Sequence, residues 1–351
     1  MRRRLGRTCL LTIAFAAVTL AASPLRAQDT RLQAMAGELR QLHRPDLLPL
    51  IRTGSRVAQV SSYDTTGGNN DGFSGQYSFV RREGDALVLA DLEGPGVVQR
   101  IWTPTPTERM VSFYFDGESE PRLRLRFIDL FSGEVEPFRK PIVGNEVGGY
   151  YSYLPIPYAR SLKIVYEGDD IRFHQIQYRS FPAGTRIESF RPTLTPDENR
   201  ELEAAAAAWS APGRRPFANA DVDSVELNFR IEPGGRGVIF RQDGGGRVVG
   251  IEIQREVATA WGPQVLLEAQ WDGDDAPAIR APVDDFFGWA FGKPAARSLY
   301  VGSDGTHDYT YLPMPFDRSA TIAIRSLPGA RATAAGRARV FFTHEPLDAA
   351  R

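Results

Sequence analysis

Apolar and polar positions alternate along most of the chain, and the alternation breaks at turn residues. Leu87–Ala90, Val111–Phe115, Leu162–Tyr166, Phe173–Tyr178, Val225–Ile231, Val248–Ile253 and Val265–Trp271 each carry a strand pattern. Asp116-Gly117 and Asp272-Gly273 close two of these runs and predict hairpin turns. Gly244-Gly245-Gly246 lacks the Lys-Ser/Thr of a phosphate loop, sits between strands and reads as another hairpin turn. Arg122-Leu123-Arg124-Leu125-Arg126 alternates strictly, as a strand with one solvated face does, a face that also suits an acidic partner. Two stretches are helical instead. Leu32, Met35, Leu39 and Leu42 place a short amphipathic helix over 30–42, stopped at Pro45. Thr195 and Glu198 make a capping box for a helix over 195–209, with Pro196 in its first turn and Pro212-Gly213 at its end.

An internal repeat organises these elements. Phe115-Asp116-Gly117, Pro121 and Asp129-x-Phe131 return as Trp271-Asp272-Gly273, Pro277 and Asp285-x-Phe287, 156 positions later. Tyr153–Tyr158 returns as Tyr311–Phe316, and Ser161 as Ser319, 158 positions later. A long ordered motif in two copies predicts two homologous modules, and many short strands suit Greek-key jelly rolls. The expected fold is all-β: two tandem jelly-roll-like β-sandwich modules. The boundaries are a signal peptide over 1–27, a helical segment over 28–50, modules over 51–190 and 221–345, a helical linker over 191–220 and a tail over 346–351.

Composition adds compartment. The first 27 residues hold five arginines and no acid around the apolar run Leu10–Ala22, which describes a secretory signal cleaved near Ala27. The run is too short for a spanning helix. The expected location is periplasmic or extracellular. The remaining 324 residues carry a net charge of −6, which removes the usual driver of nucleic-acid binding and gives no reason to expect a membrane partner. The one cysteine, Cys9, leaves with the signal, so neither disulfide nor thiolate chemistry is expected of the mature chain. With 42% apolar and 11% aromatic residues the chain can bury real cores.

Four ordered blocks carry a family resemblance. Ser61–Phe73, with its Gly-Gly-Asn-Asn-Asp-Gly run, resembles the opening signature of the domain of unknown function 2961 family, and Ala90–Trp102 resembles its next block. Pro282–Gly288 and Tyr311–Phe316 resemble two later ones. Part of that family is classified as glycoside hydrolase family 172, whose characterised members are jelly-roll enzymes acting on fructofuranose or D-arabinofuranose linkages. They are assembled as oligomers with active sites near subunit contacts. The resemblance therefore implies a carbohydrate ligand and a homo-oligomer. It also implies paired glutamates in Gly-Glu-Gly-Asp and Gly-Thr-Gly-Thr-Glu-Asp-Tyr-Phe blocks, and neither block occurs here. Asp284 falls where one such glutamate would lie, although its stretch matches the family's earlier Asp-Phe-Phe-Gly block as well. On that second alignment the chain is a shortened member, keeping a binding or assembly role without the catalytic module.

Hydrolysis of a glycoside needs two carboxyl groups, about 5–5.5 Å apart for retention and about 6.5–9.5 Å for inversion. The candidates are Asp129, Glu268, Asp272, Asp284 and Asp285. Glu268, Gln270 and Asp272 share one face of a strand. Asp272 reads as a turn residue, and Asp285 as a loop cap by its match to Asp129. Asp284 has no counterpart in the first copy, where Ile128 stands, so Asp284 with Glu268, or with a carboxylate of a neighbouring subunit, is the expected catalytic pair. Asp64, Asn69, Asn70 and Asp71 offer several fixed polar groups to sugar hydroxyls, and Trp102 a stacking face; with Asp285 they form the expected substrate-binding set. No cofactor is expected: the four histidines lack zinc spacing, and the Gly67–Gly72 loop, though rich in oxygens, does not fit a twelve-residue calcium loop.

Overall fold

The computed structural model describes residues 35–217 and 222–344. The leader with Cys9, the start of the N-terminal helix and the tail lie outside the described residues. The principal strands of the first module are β1 (Arg56–Ser61), β2 (Ala86–Glu93), β3 (Gly96–Thr103), β4 (Met110–Phe115), β5 (Leu123–Arg126), β6 (Gly149–Ser152), β7 (Ser161–Tyr166) and β8 (Gln175–Ser180). Those of the second are β9 (Asp223–Ile231), β10 (Arg236–Asp243), β11 (Gly246–Arg255), β12 (Val265–Trp271), β13 (Ile279–Pro282), β14 (His307–Thr310), β15 (Ser319–Ser326) and β16 (Ala334–Thr343).

The first module pairs β1-β8-β3-β6 in one sheet and β2-β7-β4-β5 in the other; the second pairs β9-β16-β11-β14 and β10-β15-β12-β13. Both have the order first-eighth-third-sixth over second-seventh-fourth-fifth, which is a jelly roll. The chain is thus all-β, two β-sandwich modules in tandem.

The repeat reaches further upstream than its sequence motifs. Leu89 on β2 and Gln99 on β3 are extra residues that shift the register, and so are Ile239 on β10 and Val249 on β11, each 150 positions later. Bulges of this kind re-aim a strand and increase its twist. Between them Gly94-Pro95-Gly96 answers to Gly244-Gly245-Gly246. That glycine run is therefore not a hairpin turn: β10 and β11 belong to opposite sheets, and the glycines carry the chain across the sandwich.

Alternation decides the two cores. Leu87, Phe113, Phe115, Leu162 and Ile164 point inward in the first, and Ile239, Ile251, Leu267, Ile322 and Ile324 in the second. Each such side chain stabilises the fold by about 1.5–3 kcal/mol over its exposed state. On β5 the leucines are buried and the arginines exposed, as the alternation predicts, and Arg124 and Arg126 pair with Glu167 and Asp129 at 2.6 and 2.5 Å. Asp116 and Asp272 are turn residues with the same task. At φ 55° and 57°, each accepts backbone N–H groups from the loop that leads into β7 or β15: Arg160 and Ser161 for Asp116, and Asp317, Arg318 and Ser319 for Asp272.

The helices join the first module. Helix α1 (Met35–Gln41) buries Leu39, and α3 (Pro196–Trp209) buries Leu202 and Ala205, all in the first core. The capping box at Thr195 and Glu198 is present. Trp209 Nε1 donates to the Leu42 carbonyl at 2.7 Å, and buried Glu38 pairs with Arg179 at 2.6 Å. Single-turn helices α2 (Asp129–Ser132) and α4 (Val283–Phe286) follow β5 and β13. Among the described residues no helix is long and apolar enough to cross a membrane, and no group of three or more metal-binding side chains converges.

Candidate functional site

The outer face of sheet β9-β16-β11-β14 is where polar residues collect. Glu226, Arg339, Glu252 and Tyr309 stand directly opposite one another across its four strands. Glu252 is 6% exposed although charged. Arg215 grips it with two hydrogen bonds of 2.6 Å, the Tyr311 hydroxyl donates to it at 2.8 Å, and His307 Nε2 lies 3.7 Å away. Burial alone would raise the Glu252 pKa; His307, Arg215 and Tyr311 outweigh it and hold the carboxyl at about 2. Glu252 in turn raises the pKa of His307. The result is a fixed anion that orients a guanidinium and a phenol.

Beside this cluster lies a cavity of about 850 Å³. Ala204, Ala207 and Ala208 line it from one face of α3, with Ala211 just past the helix end. Their methyl groups leave room that larger side chains would fill. Arg247 of β11, Tyr311, Thr343, Asp46, Arg215 and Phe217 are among its other lining residues. Phe217 packs edge-on against Tyr311, ring centroids 5.7 Å apart. Arg247 Nε and Thr343 Oγ1 are buried and have no hydrogen-bond partner among the described residues. Unpaired buried polar atoms are rare in native proteins; both are closed off from solvent, while their residues, Arg247 and Thr343, line this cavity of ligand size.

The acids chosen from sequence lie elsewhere. Asp284, on α4, accepts the Gly262 N–H at 2.7 Å and faces Arg255 at 2.8 Å. Arg255 is fully buried between the rings of Trp261 and Trp289, 4.3 Å from each, and also binds Asp308 at 2.7 Å. Asp284 is therefore a counter-ion inside the second module. Glu268 points out of the other sheet, among Arg325, Arg236 and Arg280 at 2.8, 3.3 and 3.7 Å. The two carboxylates share neither an ion partner nor a described cavity.

Asp285 is exposed and its side chain makes no hydrogen bond among the described residues, whereas Asp129 is bound by Arg126. The position matching Arg126 is Pro282, which has no guanidinium to offer, so the expected capping role does not extend to Asp285. In the glycine loop, Asp64 accepts from the Thr66 and Asn70 backbones and from the Thr66 hydroxyl, and Asp71 accepts the Asp64 N–H at 2.7 Å. The Asn70 amide bonds Ser74, while Asn69 is exposed at φ 62°. Most of the loop's polar groups thus hold the loop itself. Trp102, half-buried on the outer face of β3, packs over Gly149. Its counterpart in the second module is Glu252.

With the geometry in place, two family matches decide the kinship. Residues 53–198 match the GH172 first beta-sandwich domain and residues 221–335 match a GH172 domain-like description. The chain is GH172-like. Its general type is accordingly glycoside-hydrolase-like. No curated protein matches this GH172-like chain. Among solved structures it is similar to the major capsid protein P2 of bacteriophage PM2 at 11% identity, covering 83% of this chain and 100% of that one, with a TM-score of 0.22. The serine protease–chaperone complex of Aeromonas sobria is similar at 12% identity over 44% of this chain and 32% of that one, with a TM-score of 0.20.

Proposed function

We propose that this GH172-like chain is an exported carbohydrate-active protein that takes furanose-containing glycans, of the fructofuranoside or D-arabinofuranoside class, in the cleft between α3 and the second sandwich. The observation that carries the reading is a cavity of about 850 Å³ whose lining brings Arg247 and Arg215 together with the aromatic rings of Tyr311 and Phe217. A sugar offers hydroxyls to guanidinium donors and an apolar ring face to Tyr311 and Phe217. The alanine face of α3 leaves space for a compact ring. Glu252 fixes Arg215 and Tyr311 before a ligand arrives, which lowers the ordering cost of binding. The reading includes a homo-oligomer and needs no cofactor.

Hydrolysis in this cleft would use Asp46, the carboxylate among its lining residues, and would depend on Glu252 beside it, which orients Arg215 and Tyr311. A second reading, binding without hydrolysis, is favoured by a specific observation. Burial raises and Arg44 lowers the pKa of Asp46, with the net shift downward, so both Glu252 and Asp46 are held in the charged form. Glycoside cleavage also needs a carboxyl kept protonated. The absence from the sequence of the two glutamate blocks supports the same reading.

The test uses residues 28–351 with p-nitrophenyl α- and β-arabinofuranosides and fructofuranosides, measuring turnover and binding together. Saturable binding that weakens at least about tenfold in Arg247→Ala is expected. Turnover abolished by Glu252→Gln makes the protein a hydrolase; binding without turnover makes it a binding protein. Turnover that survives Glu252→Gln but is lost in Asp284→Asn or Glu268→Gln would return the site to the sequence-chosen acids. Neither binding nor turnover would refute the reading.

A further inference from the structure

The second module has another built cavity, on the face of sheet β10-β15-β12-β13 that points away from the core. It measures about 480 Å³ and its wall holds Arg236, Arg280, Arg325, Glu268 and Asp275. Arg236 on β10 stands directly opposite Arg325 on β15, and Glu268 on β12 stands directly opposite Arg280 on β13. Like charges opposite one another on one sheet face repel, so the Arg236–Arg325 pair costs stability unless an anion lies between them. Glu268 supplies one such charge, 7% exposed and ringed by all three guanidinium groups.

One carboxylate does not exhaust three arginines. Arg236 and Arg325 hydrogen-bond Glu268 only through Nε, and Arg280 approaches by Nε at 3.7 Å. Among the described residues the terminal Nη groups of all three make no hydrogen bond. These groups are the fork that binds carboxylate and phosphate in two-point fashion. The arginine side chains are 37–58% exposed, so a ligand reaches them from solvent. With Asp275 counted, the wall still carries one positive charge more than negative.

We infer that this face is a second ligand site, in which Arg236, Arg280 and Arg325, oriented by Glu268, bind an oxyanion group, the carboxylate of a sugar acid or a phosphate. It is separate from the cleft beside α3, and its existence does not depend on that cleft's ligand.

The experiment is calorimetric titration of residues 28–351 at low salt with a galacturonate oligosaccharide, its neutral methyl ester and inorganic phosphate. Expected is saturable binding of a charged probe, none of the ester, and a loss of at least about tenfold in each of Arg280→Ala and Arg325→Gln. Arg230→Ala, an exposed arginine outside both cavities, should leave the affinity unchanged. Arg280 is more than half exposed on an edge strand, so its truncation spares the core. Binding of the oligosaccharide but not phosphate assigns a sugar acid; binding of phosphate alone assigns a phosphoryl group. Saturation by neither, or an affinity indifferent to both arginine substitutions, overturns the inference.

Discussion

His174 is the most exposed to acid of the buried groups, in the chemical sense rather than the geometric one. It is 1% accessible, neither ring nitrogen has a hydrogen-bond partner among the described residues, and burial lowers its pKa from 6.5 to about 4. The folded state therefore refuses a proton that the unfolded chain accepts below pH 6.5. Stability should fall as pH drops from 6.5 towards 4, by up to about 3 kcal/mol from this group. Urea unfolding across that range checks it, with His174→Leu for comparison: the variant should lose stability less steeply than the parent, and equal slopes would contradict the assignment. Residues of this kind are hard to see in sequence, because a histidine's partner, or its lack of one, is a property of packing. Asp284 shows the same limit. Its match to a family glutamate and its absence from the first copy suggested chemistry, but the Arg255 that claims it lies 29 positions earlier on another strand.

At the scale of elements the sequence is far more informative, because strand period, turn chemistry and capping are local. Val265–Trp271 is β12 residue for residue, and the capping box at Thr195 starts α3 as its spacing predicts. Asp272 was legible as a turn residue, and the structure adds what it holds: three N–H groups of residues 317–319. Asp272→Ala should cost about 1–3 kcal/mol through the loss of those bonds to a charged acceptor, and Asp116→Ala a comparable amount, read as a lowered unfolding midpoint. A cost below about 0.5 kcal/mol would mean the loop satisfies itself otherwise. What period 2 does not reveal is which sheet a strand joins. Two inward-facing strands alternate alike whether they are hydrogen-bonded neighbours or face each other across a core, which is why Gly244–Gly246 read as a hairpin turn and is a crossing between sheets.

For the whole molecule, the repeat made the two-module architecture readable, while the cleft had no single sequence signature. Its parts come from residues 44–46, from α3, from the segment after it, from β11 and from the block around Tyr311, which are far apart in the chain. Glu252 did leave a trace: a charged residue within the apolar run Val248–Ile253, 6% exposed once folded. Buried charges are paired or functional, and its partners Arg215 and Tyr311 lie 37 and 59 positions away, beyond any local pattern. The Asn69–Asp71 loop shows the converse, a motif rich in polar groups that spends most of them on its own turn.

The most direct measurement is a crystal structure of residues 28–351 soaked with a short arabinofuranosyl or fructofuranosyl oligosaccharide. The account predicts a sugar ring seated between the alanine face of α3 and Tyr311, with hydroxyls on the Arg247 guanidinium. A sugar bound instead at Asn69–Asp71 or beside Asp284, with the cleft holding none, would contradict it.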